Sequence, residues 1–195
     1  MVERDPDSWT SIVQDRNLPV ARETHRVEWH EWTVAGALVE SPDGVLLVRN
    51  VRRGGSEDWS PPGGVIDAGD ADLVAGLVRE VEEETGLRIT EWHGPVYEVI
   101  AEAPGMGWRM RCEVHHAASF EGDLVIDDPD GIVQEAAFVV AELIDGYLDR
   151  CPLWVREPLS AWLQERWSAT EPTRTFAYDV AGTHRERLQI TRRPG

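Results

Sequence analysis

Three acids dominate one short stretch of this chain. From Gly63 to Leu87 it reads GGVIDAGDADLVAGLVREVEEETGL, with Glu80, Glu83 and Glu84 at i, i+3 and i+4. On a helix that spacing gathers the three carboxylates on one arc. Like charges so placed repel by about 0.2–0.5 kcal/mol per pair. A hard divalent cation turns the repulsion into binding, because Mg²⁺ takes carboxylate oxygens and leaves its other positions to water and phosphate.

A Glu-rich helix end, taken alone, is an ordinary solvated face. Its surroundings set this one apart. The pattern predicts a helix over Asp72–Glu84, stopped near Gly86. Leu73, Val74, Leu77, Val78 and Val81 fall within an arc of roughly 140° and form its core face. The acids flank that face rather than oppose it, while Glu82 points to solvent. Gly76 lies on the acidic arc one turn earlier and leaves that ground uncovered. Arg79, four residues before Glu83, can steady a carboxylate by a charged hydrogen bond. A Gly63-Gly64 turn precedes the helix.

The segment resembles the Nudix box, G-x5-E-x7-R-E-U-x-E-E-x-G-U, where U is bulky and aliphatic. Gly64 matches the opening glycine, and Arg79, Glu80, Val81, Glu83, Glu84, Gly86 and Leu87 match every defined position of the second half. Two departures stand out. Asp70 occupies the first Glu position, and eight residues rather than seven separate it from Arg79.

The resemblance implies an α/β fold, an α/β/α sandwich with a mixed β-sheet and a loop-helix-loop metal motif. It implies hydrolysis of a pyrophosphate bond in a nucleoside-diphosphate-linked molecule, with Mg²⁺ as cofactor and Mn²⁺ as a substitute. Glu80 and Glu84 are then the direct ligands, Glu83 a ligand or the base, and the Gly64 carbonyl a further contact. Some family members take the base from a later loop. The candidates for that are Asp127, Asp128, Asp130 and Glu135, within DDPDGIVQEAAFV. Asp-Pro-Asp-Gly is also an ordinary turn, the reading favoured for Asp127 and Asp128.

Elements around the box follow from pattern. Trp32–Val39 and Val45–Val48 read as a hairpin about the Ser41-Pro42-Asp43-Gly44 turn, and Arg49–Trp59 as a polar loop. Val96–Ala103 and Trp108–Phe120 read as strands, Val125–Gly131 as an acidic loop and Ala137–Val140 as a short strand. Leu153–Trp167 reads as a helix, and the tail from Thr173 as a hairpin on the sheet or on a second subunit. A homodimer is thus one expected partner arrangement. The partition is a single domain over 1–195, with a core of about 30–145, a polar N-terminal segment and a C-terminal extension.

Arg49, Arg52 and Arg53 form the densest basic cluster before the box and are candidates for substrate phosphate; a solubilising loop is the competing reading. Trp59 could stack on a nucleobase, though core packing is the commoner role of a tryptophan. Arg109 and Arg111 are expected at the surface. His93, His115 and His116 lack ligand spacing.

The formal net charge is −17. It repels nucleic-acid backbones, so no nucleic-acid partner is expected. A phosphate-bearing small molecule is repelled too unless a cation intervenes, which suits a metal-bridged site. No run nears the roughly 20 apolar residues of a membrane span, and the N-terminus lacks a signal peptide's apolar core. Cys112 and Cys151 form no metal pair and are expected as free thiols in a reducing cytoplasm. Two other readings compete: an idle nucleotide-binding regulatory module, and an isoprenoid-diphosphate isomerase using a cysteine. Three clustered acids argue against the first, and nothing around either cysteine supports the second.

Overall fold

The apolar run from Trp32 to Val39 becomes β1 (His30–Ser41), which turns at Pro42-Asp43 into β2 (Gly44–Val51). The computed structural model describes residues 29–52, 54–183 and 188–194. After β2 come β3 (Glu57–Ser60), β4 (Gly63–Val65) and α1 (Leu73–Thr85). Next are β5 (Arg88–Ala103), β6 (Trp108–Glu121) and β7 (Val133–Val139). The chain continues through α2 (Ala141–Tyr147) and α3 (Leu153–Glu165) to the hairpin of β8 (Arg174–Ala181) and β9 (Gln189–Arg192).

The strands form one mixed, curled sheet in the order β3-β2-β1-β6-β5-β8-β9, with β4 on β1 and β7 on β2. β1 is its fork. Its first part runs parallel to β6 and antiparallel to β4, and its last residues pair with β2. β8 joins β5 in parallel, so the C-terminal hairpin extends the sheet.

Helices cover both faces. α1 seats Leu77 and Val81 against Ala35, Ala37, Val39 and Leu46. On the other face, Ile144 of α2 and Leu159 and Trp162 of α3 pack on Val34, Leu38, Val99 and Met110. Each such side chain contributes about 1.5–3 kcal/mol on full burial, which fixes which side of α1 faces in. This is the α/β/α sandwich the box implied. Among the described residues no helix is long and apolar enough to cross a membrane.

Several boundaries differ from the sequence pattern. The segment Arg49–Trp59 is not all loop, because Glu57–Ser60 pairs with β2 as β3. β5 begins at Arg88 rather than Val96; its first half is broken by register shifts that hide the alternation. β7 begins at Val133 rather than Ala137. α2 buries only Ile144, so its sequence carries no helical period.

Candidate active site

α1 is shaped at both ends by what precedes and follows it. Asp72 caps the N-terminus, its side chain accepting the Ala75 N–H at 2.8 Å. Gly86 closes the other end in the left-handed conformation. Helix ends leave backbone carbonyls unsatisfied. Here the acidic loop supplies donors: Val125 N–H to the Thr85 carbonyl and Asp127 N–H to that of Glu83. The loop is thereby pinned to the end of α1 that carries the acids.

β4 supplies the opposite wall. Gly63 adopts φ 140°, and a Cβ there would come within 2.2 Å of the Ala35 carbonyl oxygen, so only glycine fits. Its N–H donates to Glu84 Oε2 at 2.7 Å. At Gly64 a Cβ would sit 2.6 Å from Glu80 Oε2, so the Glu80 carboxylate occupies the space a side chain would fill. Two consecutive glycines therefore receive two glutamates of α1. Sequence reasoning singled out Gly64 but not the Gly63 amide.

Arg79 organises the acids from the side. It meets Asp70 through two nitrogens at 3.2 and 3.1 Å, Glu83 at 3.1 Å and Glu80 at 2.8 Å, with Asp67 at 3.8 Å. Burial pushes Glu80 up to about 7 against the pull of Arg79, with Glu83 and Asp130 adding repulsion. Burial also holds Glu84 well above the usual carboxylate range; Glu80, Asp128 and Glu83 raise it further, and the Gly63 amide opposes them. Glu80, Glu83, Glu84, Asp128 and Asp130 thus share one field.

The later carboxylates divide. Asp128 accepts the N–H groups of Asp130, Ile132 and Val133 at 2.9, 2.7 and 2.7 Å, the bonds of a loop staple. Asp130 lies close enough to Glu80 to raise it. Glu135 sits on β7 opposite Arg49 on β2, which bonds it through Nε at 3.1 Å. Arg49 in turn pairs with Trp59 on β3. Trp59, Arg49 and Glu135 thus form one cross-strand row. Trp59 also packs on the core and edges against the Tyr147 ring, 4.9 Å between centroids.

Arg49 and Arg52 are placed differently. Arg49 is part-exposed, whereas Arg52 is 6% exposed and bonded to Asp58 through Nε and Nη2 at 3.2–3.4 Å. Asp58 also accepts from the Asn50 amide. Arg52 therefore closes the loop between β2 and β3. Arg53 lies outside the described residues. Arg109 and Arg111 pair with Glu102 and Glu98 of β5, at the surface as expected.

The donor set suits a hard divalent cation. Glu84 is buried and Glu80 part-buried, each holding its proton more tightly than a free acid, and a charged ligand would relieve both their desolvation and their repulsion. Among the described residues no three His, Cys, Asp or Glu side chains converge tightly enough to enclose an ion by themselves.

Comparison with known proteins agrees. The family model for the NUDIX domain matches residues 22–158. "Nucleoside diphosphate-linked moiety X motif 6" of Xenopus laevis is 43% identical over 58 residues, covering 30% of this chain and 26% of that protein. The "MutT-like protein" of Streptomyces ambofaciens is 43% identical over 60 residues, 31% of this chain and 36% of that one. The chain thus spans only about a quarter to a third of these curated relatives. The crystal structure of the MutT protein from Methanosarcina mazei Go1 has the same fold, with a TM-score of 0.56 at 24% identity, covering 71% of this chain and 97% of that one. With the box residues gathered at β4 and α1 of such a fold and the family model spanning both, the chain belongs to the NUDIX domain family.

Proposed function

We propose that this protein is a metal-dependent hydrolase that cleaves a pyrophosphate bond in a nucleoside-diphosphate-linked small molecule. The observation that carries the reading is the seating of Glu80 and Glu84 on Gly64 and Gly63. Membership in a family of nucleoside-diphosphate-linked hydrolases supports it. The substrate is a nucleoside triphosphate, ADP-ribose or another nucleotide sugar, or a dinucleoside polyphosphate.

Glu80, Glu84 and the Gly64 carbonyl hold the cation, with Glu83 as a further ligand or as base. A bound Mg²⁺ or Mn²⁺ supplies neutralisation of the phosphates and acidifies water at neutral pH. Arg79 keeps Glu80 and Glu83 in place, and Asp70 keeps Arg79. Asp130 faces this group from the pinned loop and takes the proton of the attacking water. The water oxygen bonds phosphorus, the bridging P–O bond breaks, and the leaving phosphate departs with the bond's electron pair. Glu83 and Glu135 are the other candidates for that proton, Glu135 once Arg49 turns from it to a substrate phosphate. Trp59, in the same row, offers a ring edge to the nucleoside.

The test is a panel of nucleotides assayed for product release with Mg²⁺, with Mn²⁺ and with EDTA. At least one nucleoside-diphosphate-linked compound is cleaved with metal and untouched in EDTA. Turnover that persists in EDTA would overturn the reading.

A further inference from the structure

On the sheet face that α3 covers, a cavity of about 570 Å³ opens among the end of β1, the start of β5, β6 and the turn leaving α3. Its walls include Glu40, His93, His116, Trp162, Arg166 and Ala169, and it shares no residue with the carboxylate site. Its size lies within the roughly 300–1,000 Å³ of small-ligand sites.

Two observations point into it. Arg166, the C-cap of α3, has φ 55° and ψ 38°, the one non-glycine at positive φ among the described residues. Glycine takes that backbone at less cost. Here an arginine holds it, lying over the Trp162 ring at 4.5 Å and reaching across to Glu40. The second observation is Glu40 itself. One of its oxygens binds Arg166 Nη1 and the other faces His116 Nε2 at 3.4 Å, so one carboxylate sets a guanidinium and an imidazole side by side. The His116 ring stands 6.1 Å from Trp162 and 6.4 Å from His93. Glu40 engages one nitrogen of each partner, and both side chains carry more.

We propose that this cavity binds a nucleoside monophosphate, its phosphate on Arg166 and its base against the imidazole rings of His93 and His116. Planar aromatic faces suit a nucleobase, and a guanidinium suits a phosphate. The choice of ligand rests on the proposed hydrolysis, which releases a compound of this class.

The test is calorimetric titration of the full chain with adenosine monophosphate in EDTA, alongside adenosine and inorganic phosphate. One equivalent of the nucleotide binds, and each fragment binds at least about tenfold more weakly. Arg166→Gly suits the left-handed backbone and stays folded by circular dichroism, yet loses about tenfold or more in affinity. Ala169→Phe fills the cavity without altering a charge and has the same effect. Glu84→Gln, which stops hydrolysis in the reading above, leaves this affinity unchanged. Arg166→Gly leaves hydrolysis intact, so failure of one reading is separable from failure of the other. Absence of binding, binding that survives both cavity variants, loss in Glu84→Gln, or phosphate binding as tightly as the nucleotide would each overturn the proposal.

Discussion

Arg79 grips Asp70 with two nitrogens, Nε on Oδ1 at 3.2 Å and Nη2 on Oδ2 at 3.1 Å. Aspartate is one methylene shorter than the glutamate of the box pattern, and the segment before Arg79 is one residue longer. With both departures, the acid at this position still meets the Arg79 guanidinium. Gly76 provides the room, since a Cβ there would lie 2.7 Å from Asp70 Oδ2 and 2.8 Å from Ile66 Cδ1.

Gly76→Ala should therefore destabilise the protein. Inside a helix this change ordinarily gains up to about 1 kcal/mol. Here the added methyl meets a carboxylate fixed by a two-point bridge, and overpacking costs about 1–3 kcal/mol. Denaturant unfolding should show a net loss, with reduced activity as Arg79 shifts. A more stable, fully active variant would mean that the bridge yields freely.

Arg49 and Arg52 should separate cleanly. Arg52→Ala strands the part-buried Asp58 and should cost about 3 kcal/mol in unfolding free energy. The folded fraction should keep its KM. Arg49→Ala should stay folded and raise KM about tenfold or more, the worth of one charged hydrogen bond to phosphate. Kinetics and melting curves of the two variants decide, and a KM effect confined to Arg52 would reverse the assignment.

The buried acids also set a pH dependence. Glu80 is raised from 4.5 to about 7, and Glu84 is raised well above 4.5. A raised acid holds its proton more tightly in the folded state. That stability is fully present below the unfolded value and is lost as pH rises through the folded one. In EDTA the melting temperature should therefore fall between about pH 5 and about pH 8. Mg²⁺ should shrink the fall by binding the deprotonated pair, and Glu80→Gln with Glu84→Gln should flatten it. A melting temperature that rises across this window in EDTA would contradict the burial of these groups.

The helix and its acids were legible because two local signals agree: the apolar period and the glycine stop. The two hairpins followed from turn residues, while the pairing of the C-terminal one with β5 is a long-range register that no turn encodes. β3 was hidden because EDWS has no alternation and owes its form to β2. With β3 unseen, Arg52 read as a loop charge, although Asp58 on that strand is what buries it. The row joining Trp59, Arg49 and Glu135 rests on a register between strands 86 residues apart at Arg49 and Glu135, which no local pattern encodes. The pinning of the acidic loop to α1 was equally invisible, because backbone groups make both bonds.

The central claim is that the acids of α1 bind the metal the reaction needs, and Glu84→Gln tests it most directly. The amide matches the acid in shape, can still accept the Gly63 N–H and has no charge to desolvate, so the variant should melt no lower than the parent. Manganese binding by electron paramagnetic resonance and the hydrolysis rate should be measured on the same sample. Both should fall together, the rate by at least about 100-fold, since even outer partners of metal ligands cost about 10–100-fold. A folded Glu84→Gln protein that binds manganese and turns over at the parent's rate would contradict it.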